Sequence, residues 1–374
     1  MPHEPDAFEP APSHIRLAHD PAQRSRGRGA RSNATGRFET ETREAIDDGW
    51  DLAENLPTLR TNVHLDTAKT IIARNDSPDI SFDQSINPYR GCEHGCIYCY
   101  ARPSHAYLGH SPGLDFETEL YEKPQAAKLL ETEFAANRYV AKTIALGSNT
   151  DPYQPIERTR RITRSILEVL HRTRHPVGIV TKSALVTRDI DILSDMAKDG
   201  LVKVALSITT RDRKLARAME PRAATPAKRF EAVRQLSEAG IPTAVMVAPI
   251  IPGLTDHEIE DILLHAKTAG ASEAGYVLLR LPLEIKELFR EWLATDQPGR
   301  AKRVISLLQS MHAGQEYRSE FGLRQTGSGP FAQAIGTRFK LALKRNGLNQ
   351  NRRKLRTDLF AKPVLSGGQF DMFA

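Results

Sequence analysis

The stretch Gly91-Cys92-Glu93-His94-Gly95-Cys96-Ile97-Tyr98-Cys99-Tyr100 contains every cysteine of this 374-residue chain, with the spacing C-x3-C-x2-C. Three thiolates on one tight loop can bind three irons of a [4Fe–4S] cluster, whereas such clusters usually have four cysteine ligands. The fourth iron is then free for an exogenous ligand, and an open coordination position distinguishes catalytic metal centres from structural ones. The stretch therefore predicts a catalytic iron–sulfur site with the metal ligands Cys92, Cys96 and Cys99.

A zinc ion bound by the same cysteines, with His94 or His105 as fourth ligand, is the alternative. Zinc sites commonly use two ligand pairs separated by a longer loop, and no second cysteine pair exists in this chain. A purely electron-transferring ferredoxin would lack its fourth ligand. The cysteine pattern therefore favours a cluster with an open iron.

Downstream of the cysteines, short apolar runs alternate with amphipathic stretches. This alternation predicts βαβ units and a parallel sheet. One short strand ahead of Cys92 brings the number of strands to six, so we predict an α/β fold, an open partial (β/α)6 barrel of the TIM type. The expected strands are 143–147, 177–181, 202–208, 243–248 and 275–281, and the expected helices are 156–174, 187–198, 226–239 and 256–269.

The same patterns divide the chain into four parts. Residues 1–60 are expected to be a mostly disordered extension, because the run Arg24-Ser25-Arg26-Gly27-Arg28-Gly29-Ala30-Arg31 is rich in Gly and Arg and poor in apolar residues. The partial barrel is expected over 61–283. A helical region follows over 284–345, with helices near 284–293 and 301–311. Residues 346–374 are expected to be a flexible basic tail that ends in a peptide motif.

The cysteine spacing, with Tyr98 before the third cysteine and Tyr100-Ala101 after it, resembles the signature of radical S-adenosylmethionine (radical SAM) enzymes. The resemblance implies that the amino and carboxylate groups of S-adenosylmethionine (SAM) bind the open iron. One electron from the cluster, supplied by a reduced flavodoxin or ferredoxin, then cleaves SAM to a 5′-deoxyadenosyl radical. Tyr98 is expected to contact adenine. The protein's own task is to orient SAM and exclude side reactions.

Polar residues follow the predicted strands, which is where barrels of this kind place functional groups. Ser148 and Asn149 follow the second strand and offer hydrogen bonds to the amine and carboxylate of SAM. Asp151 could accept from the ammonium group or cap a turn. Lys182 ends the third strand, and Ser207 ends the fourth. The alternative interpretation is a set of ordinary turn residues and a surface lysine.

The region from about 85 to 282 most resembles the spore-photoproduct-lyase-like branch of these enzymes, often described as DNA repair photolyases. The flanking stretches Asn75-Asp76-Ser77-Pro78 and Asn87-Pro88-Tyr89-Arg90-Gly91-Cys92 are typical of one subgroup. In this branch a serine after the second strand, a lysine ending the third and a serine ending the fourth contact SAM. Ser148, Lys182 and Ser207 match them in order. The resemblance implies a lyase or repair-type reaction on nucleic acid.

The chain departs from this branch in its hydrogen donor. The enzyme that gives the branch its name uses a cysteine outside the cluster, and this chain has none. A tyrosine is the expected substitute as catalytic residue, with Tyr98, Tyr100 and Tyr107 as candidates. Two alternatives stay open: a radical SAM enzyme that modifies a protein or small molecule, and a non-catalytic iron–sulfur or zinc module associated with DNA.

Positive charge is concentrated near the C-terminus. The whole chain has a formal net charge of +6, and residues 338–362 contain nine basic residues against one acid, Asp358. A basic patch attracts polyanions, so this segment predicts contact with nucleic acid, the alternative being a solvated tail without a partner. The basic residues are Arg338, Lys340, Lys344, Arg345, Arg352, Arg353, Lys354, Arg356 and Lys362.

The last residues form a separate motif, Gln369-Phe370-Asp371-Met372-Phe373. It is similar to the short Q-L-(S/D)-L-F peptides that bind the bacterial DNA polymerase sliding clamp. A glutamine with spaced apolar anchors can fill a preformed pocket, and a disordered tether keeps it accessible. The alternative is a tail that folds back on the barrel.

The chain shows no signal for a membrane or for secretion. No run approaches the roughly 18 apolar residues of a membrane helix. The start Met1-Pro2-His3-Glu4 has neither a basic nor an apolar signal region. Clustered thiols without partners elsewhere argue against a disulfide framework. We therefore expect a cytoplasmic protein that is not attached to a membrane.

Overall fold

The computed structural model describes residues 27–38, 59–352 and 354–364. Ten strands form in these residues. They are β1 (Asn62–Leu65), β2 (Ile72–Arg74), β3 (Gln84–Ile86), β4 (Tyr89–Arg90), β5 (Glu119–Glu122), β6 (Ile144–Leu146), β7 (Val177–Thr181), β8 (Val202–Ser207), β9 (Thr243–Ile250) and β10 (Glu273–Leu278).

The main sheet has seven strands in the order β10-β9-β8-β7-β6-β3-β2. The six strands from β3 to β10 in this order pair in parallel, and β2 adds an antiparallel edge beside β3. The prediction of six parallel strands in an open, partial TIM-type barrel is confirmed. A second sheet, β1-β5-β4, was not expected from the sequence.

The α-helices follow the strands of the main sheet. They are α1 (Asp115–Thr118), α2 (Ala126–Ala135), α3 (Glu157–Arg160), α4 (Ile162–Arg172), α5 (Ile190–Lys198), α6 (Arg213–Met219), α7 (Pro226–Glu238), α8 (Ile259–Thr268), α9 (Ile285–Asp296), α10 (Pro298–Met311) and α11 (Gly329–Arg345). Strand residues such as Ile144, Val204 and Val245 are fully buried, because helices cover one face of a parallel sheet and the barrel interior lies on the other.

The expected helix 156–174 is divided into α3 and α4 at Arg161, which has a φ of 57°. The buried Glu157 carboxylate accepts the backbone N–H of Thr163 over 3.0 Å, and so caps the first turn of α4. It also accepts the Tyr89 hydroxyl over 2.5 Å. The helix breaks here because Glu157 accepts hydrogen bonds both from the start of α4 and from Tyr89 in β4.

The prediction of disorder over the run 24–31 is wrong for Arg28, Gly29 and Ala30. The backbone N–H groups of Gly29 and Ala30 donate to the Glu117 carboxylate over 2.9 and 2.8 Å. Arg28 donates to the Glu117 carbonyl over 2.7 Å. The buried Glu117 carboxylate requires hydrogen-bond donors, and residues 28–30 are ordered because they provide them. The composition of the run 24–31 could not indicate this distant partner. Residues 1–26, 39–50 and 51–58 lie outside the described part, so the rest of the expected extension stays a prediction.

The expected flexible tail from residue 346 is wrong for most of 346–364, which packs along the amino-terminal ends of the strands. Leu348 is buried, and the Asn349 side chain pairs with the backbone of Ala274 at the start of β10. Further along, the backbone N–H of Arg356 donates to Gly200 before β8, and that of Ala361 donates to Thr173 before β7. Residues 353 and 365–374, which include the expected clamp-binding peptide, lie outside the described residues.

The basic segment is therefore divided. Residues 346–362 lie away from the strand ends that carry the predicted site, whereas Arg338 on α11 contacts Asp256 and Glu260, which follow the carboxyl end of β9. Several charges of the segment also have partners within the fold: Arg338 pairs with Glu260 over 2.6 Å, Arg356 pairs with Asp358 over 2.6 Å, and Lys362 donates to the carbonyl of Ala136. Within the described residues, no helix is long and apolar enough to cross a membrane.

Candidate iron–sulfur and SAM site

The cysteine loop follows β3 and β4 and is held by buried polar side chains. Gln154, fully buried, donates to the Gly91 carbonyl over 3.2 Å and accepts the N–H of Glu93 over 2.8 Å. Arg102, also fully buried, donates to the Cys96 carbonyl over 2.9 Å. These hydrogen bonds fix the backbone on both sides of Cys92 and at Cys96.

The three thiols are withdrawn from water at the same end of the barrel. Burial raises the pKa of Cys92, Cys96 and Cys99, and for Cys92 the Asp151 carboxylate and the other two thiols raise it further. Across residues 27–38, 59–352 and 354–364, no three His, Cys, Asp or Glu side chains converge closely enough to hold a single metal ion. Iron–sulfur clusters are bound by cysteine thiolates, and these three thiols lie within one loop.

The two histidines considered for a zinc site each make a polar contact through one ring nitrogen. Nδ1 of His94 lies 3.3 Å from a carboxylate oxygen of Asp151. Nε2 of His105 lies 2.9 Å from the Glu119 carbonyl, and burial lowers the pKa of His105 to about 4. A metal-bound histidine commonly donates its other ring N–H to such an oxygen, and the buried Nδ1 of His105 has no hydrogen-bond partner among the described residues. The cysteine spacing, rather than these contacts, is what disfavours zinc.

Asp151 joins three parts of the site. Its carboxylate accepts the Thr181 hydroxyl over 2.6 Å and the Lys182 N–H over 2.7 Å, and it also contacts His94. Burial alone would raise the pKa of Asp151, but His94 and these donors outweigh it and lower the pKa to about 2. The ionised Asp151 side chain in the loop after β6 therefore links that loop to the cysteine loop and to the end of β7.

Ser148 and Asn149 lie in the loop after β6, which Asn87 shapes. The Asn87 side chain donates to the Ser148 hydroxyl over 3.1 Å and accepts the N–H groups of Asn149 and Thr150 over 2.9 and 3.2 Å. The Asn149 amide donates to Ser104 beyond the cysteine loop over 3.3 Å. Ser148 and Asn149 are thus half-buried beside the cysteines rather than in a free surface turn.

Lys182 extends from the end of β7 toward the cysteine loop. Its ammonium lies 5.6 Å from the centre of the Tyr98 ring, a cation–π distance. Burial lowers the pKa of Lys182, while the neighbouring Cys96 acts in the opposite direction. A half-buried ammonium beside the thiols is suited to an anionic partner.

Tyr98 is anchored by a buried polar network. Its hydroxyl contacts the Thr209 hydroxyl over 3.0 Å and donates to Glu220, which in turn pairs with Arg229. Arg229 also donates to the Ser207 carbonyl over 2.8 Å. Ser207 is itself buried at the end of β8, so the network joins the aromatic before Cys99 to that strand.

Tyr100 has a different environment from Tyr98. Its side chain is 45% exposed, while its hydroxyl donates to the Ser148 carbonyl. Withdrawal of the hydroxyl from water raises the pKa of Tyr100 to about 12. The Arg280 guanidinium lies 4.9 Å from the ring centre. Tyr107, the third expected candidate, is 72% exposed on a 3-10 helix.

Sequence reasoning missed Gln154, Asn87 and Glu220. Gln154 follows the second predicted strand, and Asn87 precedes the cysteine loop in an Asn-Pro pair, which is a turn signal. Their role depends on which backbone groups they meet across the fold. Glu220 follows α6 without any local signal.

Comparisons with known proteins show similarity to radical SAM proteins. A sequence profile of the radical SAM superfamily matches residues 86–266. The chain is 35% identical over 230 residues to an uncharacterised protein of Mycobacterium tuberculosis, covering 61% of this chain and 68% of that protein. It is 24% identical over 247 residues to a radical SAM Nalpha-GlyT isomerase of Pseudomonas phage M6, covering 63% of this chain and 48% of that protein.

The fold also matches a solved structure. A spore photoproduct lyase mutant with bound AdoMet and dinucleoside spore photoproduct superposes with a TM-score of 0.53 and 15% identity, covering 76% of this chain and 80% of that chain. At this identity the likeness concerns the fold.

Proposed function

The chain belongs to the radical SAM superfamily of enzymes, and on that premise we propose that it cleaves SAM reductively and acts on nucleic acid. The observation that carries the first part is the grouping of two buried thiols and one half-buried thiol with the Lys182 ammonium at the carboxyl end of six parallel strands. When bound, the cluster and SAM supply a 5′-deoxyadenosyl radical. A reduced flavodoxin or ferredoxin is the proposed electron donor.

The residues around the thiols have distinct proposed roles. Cys92, Cys96 and Cys99 bind three irons and leave one open. Lys182 and Ser207 pair with the carboxylate and hydroxyl groups of SAM, and Ser148 and Asn149 orient its amine. Tyr98 offers its ring face to adenine while its hydroxyl stays fixed by Glu220. These groups are half-buried or buried, which supports roles in holding a ligand out of water.

Tyr100 is the best placed of the three expected hydrogen donors, because the Tyr98 hydroxyl is committed to a buried carboxylate and Tyr107 lies exposed on a 3-10 helix. In this proposal a carbon radical on the substrate takes the hydroxyl hydrogen of Tyr100. The resulting phenoxyl radical gains one electron and one proton, the electron coming from the flavodoxin or ferredoxin that serves the cluster. The tyrosine is thereby restored without a cysteine.

Nucleic acid is the proposed substrate class for two reasons. The fold is shared with a structure whose bound ligand is a dinucleoside. In addition, Arg280 brings a cation without a carboxylate partner to the mouth of the barrel, in the part of the chain that is described. Proteins that contact phosphate groups use arginine for this purpose. A lyase or repair-type reaction on a damaged base is the specific form proposed.

Anaerobic reconstitution with iron and sulfide tests the cluster and the cleavage of SAM. We expect iron in the protein, an EPR signal on reduction that changes when SAM is added, and 5′-deoxyadenosine as product. Cys96→Ser is expected to abolish all three, whereas Ser194→Ala on the exposed part of α5 keeps them. A reconstituted wild-type protein that binds iron but yields no 5′-deoxyadenosine would leave only a non-catalytic iron–sulfur module.

A further inference from the structure

A cleft opens beside Arg280 at the carboxyl end of the barrel. It has a volume of about 570 Å³ and lies between the chain after β10 and the segment 315–320. One wall is made of Pro282 and Leu283, and the other contains Gln315, Tyr317, Ser319 and the ion pair of Arg318 with Glu320. Arg280, two residues before Pro282, lies over the ring of Tyr100, which directly follows Cys99. The chain that forms this wall therefore begins beside the candidate cluster site.

The walls of the cleft combine an aromatic ring, an apolar side chain and amide and hydroxyl groups. Tyr317 is half-buried against the core, and Gln315 is exposed. Leu283 is 55% exposed and has a φ of 53°, a left-handed conformation that is unusual for a leucine. Strained backbone of this kind occurs preferentially at binding sites. A flat, partly apolar ligand with polar edges matches such walls.

The segment 315–320 is held in place from both sides. Glu316 is buried and accepts two contacts from Nε of Arg290 on α9, at 3.0 and 3.1 Å. Further along, the N–H of Gly322 donates to Asp79 over 2.7 Å, and Arg324 reaches Asp79 and Ser77 over 2.5 Å. A preformed wall loses little conformational entropy when a ligand binds.

Arg280, two residues before Pro282 of the cleft wall, supplies a positive charge near the cleft. Neighbouring arginines are neutralised: Arg324 by Asp79, Arg37 by Glu284 and Arg222 by Glu93. Arg280, in contrast, pairs with no carboxylate among the described residues, and its buried Nε has no hydrogen-bond acceptor there. A guanidinium in this state is suited to a phosphate group.

We propose that this cleft binds one unstacked nucleobase, with Tyr317 stacking on the base, Gln315 bonding its edge and Arg280 contacting the adjoining phosphate. This inference rests on the proposed function, since it specifies how a nucleic-acid substrate is bound. Enzymes that act on a base take it out of the stack and hold it between aromatic or apolar side chains. Tyr317 and Leu283 provide these two sides here.

Binding of a short fluorescein-labelled single-stranded oligothymidylate to the reconstituted full chain tests the cleft. Fluorescence anisotropy is expected to show a loss of affinity of roughly tenfold or more for Tyr317→Ala, whereas Tyr317→Phe keeps most of it, because stacking needs only the ring. Arg280→Gln is expected to weaken binding and to lower its dependence on salt, while Arg280→Lys restores part of both. Leu264→Ala and Arg234→Gln, at exposed positions on α8 and α7, are the matched controls.

The outcomes separate the cleft from the substrate class. If the wild-type protein binds the oligonucleotide and Tyr317→Ala binds it equally well, the cleft proposal is overturned while the nucleic-acid substrate stands. If Arg280→Gln lowers the affinity for SAM, measured by the SAM-dependent change in the EPR signal, Arg280 belongs to the SAM site and the proposal is overturned. If the wild-type protein forms 5′-deoxyadenosine but binds no oligonucleotide, both the cleft assignment and the proposed substrate class fail.

Discussion

The backbone N–H of Lys182 donates to the Asp151 carboxylate over 2.7 Å and so ties the end of β7 to the loop after β6. The same carboxylate contacts His94 within the cysteine loop. The position of Lys182 relative to the thiols therefore depends on a charged group that lies in a different βα unit. Hydrogen bonds between different βα units therefore determine the geometry of the site.

Asp151→Asn should destabilise the protein in a pH-dependent way. The pKa of Asp151 is about 2 in the folded protein, below the ordinary value of about 3.9 for an aspartate in an unfolded chain. A lowered folded-state pKa gives stabilisation that is fully present above about pH 4 and is lost as the pH falls to about 2. Denaturant unfolding should show a loss of about 2 kcal/mol at neutral pH for the variant. The difference from wild type should shrink in acid, and a difference independent of pH would contradict the assignment.

Tyr98→Phe and Tyr100→Phe should affect different quantities. Removing the Tyr98 hydroxyl leaves the buried Glu220 with one donor fewer and should lower the unfolding free energy by about 1–3 kcal/mol. Tyr100 is partly exposed, so Tyr100→Phe should change stability little and instead lower product formation relative to 5′-deoxyadenosine. Thermal unfolding and the ratio of the two products measure these effects. Equal product ratios in wild type and Tyr100→Phe would exclude Tyr100 as hydrogen donor.

Gly29→Ala should loosen the cover over the cysteine loop. A Cβ atom at residue 29 would lie 1.7 Å from the Gly95 carbonyl oxygen, so the segment must move. Overpacking of this kind costs about 1–3 kcal/mol. We expect faster loss of visible absorbance from the reconstituted cluster in the presence of a chelator. Gly299→Ala, where a Cβ meets no atom within 4 Å, is the control, and identical rates for both variants would refute the role of the segment.

The basic segment should contribute charge but no positioning. Arg352 and Lys354 are exposed, in a part of the chain that runs along the amino-terminal ends of the strands. Arg352→Gln combined with Lys354→Gln should weaken oligonucleotide binding similarly for all sequences. The slope of the logarithm of the binding constant against the logarithm of the salt concentration should become shallower by about two, one for each lost phosphate contact. The ratio of product to 5′-deoxyadenosine should stay unchanged. A changed ratio would mean that the segment positions the substrate after all.

The C-terminal peptide can be tested apart from the fold. A synthetic peptide that ends with residues 369–374 should bind the DNA polymerase sliding clamp, because its glutamine and phenylalanine side chains match the spacing of clamp-binding peptides. Gln369→Ala with Phe373→Ala should abolish binding in the same titration. No detectable binding by the unchanged peptide would rule out this partner.

Local patterns in the sequence accounted for most of the barrel. The strand 177–181 was predicted with the bounds of β7. The expected helices 187–198, 226–239 and 256–269 are followed by Gly200, Gly240 and Gly270, all of which have positive φ angles. Strand and helix periodicity act over a few residues, as does the preference of glycine for left-handed backbone. For the same reason the break at Arg161 was missed, since it depends on Glu157 meeting Tyr89 from another part of the chain.

The cysteine spacing by itself predicted the class of site, because three thiols within eight positions can converge when so short a loop folds back on itself. What only the tertiary structure decided is which groups surround them. Asn87, Gln154 and Glu220 act through backbone and side-chain partners at least 60 positions away along the chain. The structure likewise decided that the segment around Gly29 packs on the cysteine loop and that the chain around Arg356 runs along the opposite ends of the strands. Contacts between distant residues follow from the closing of the barrel, and no local pattern encodes them.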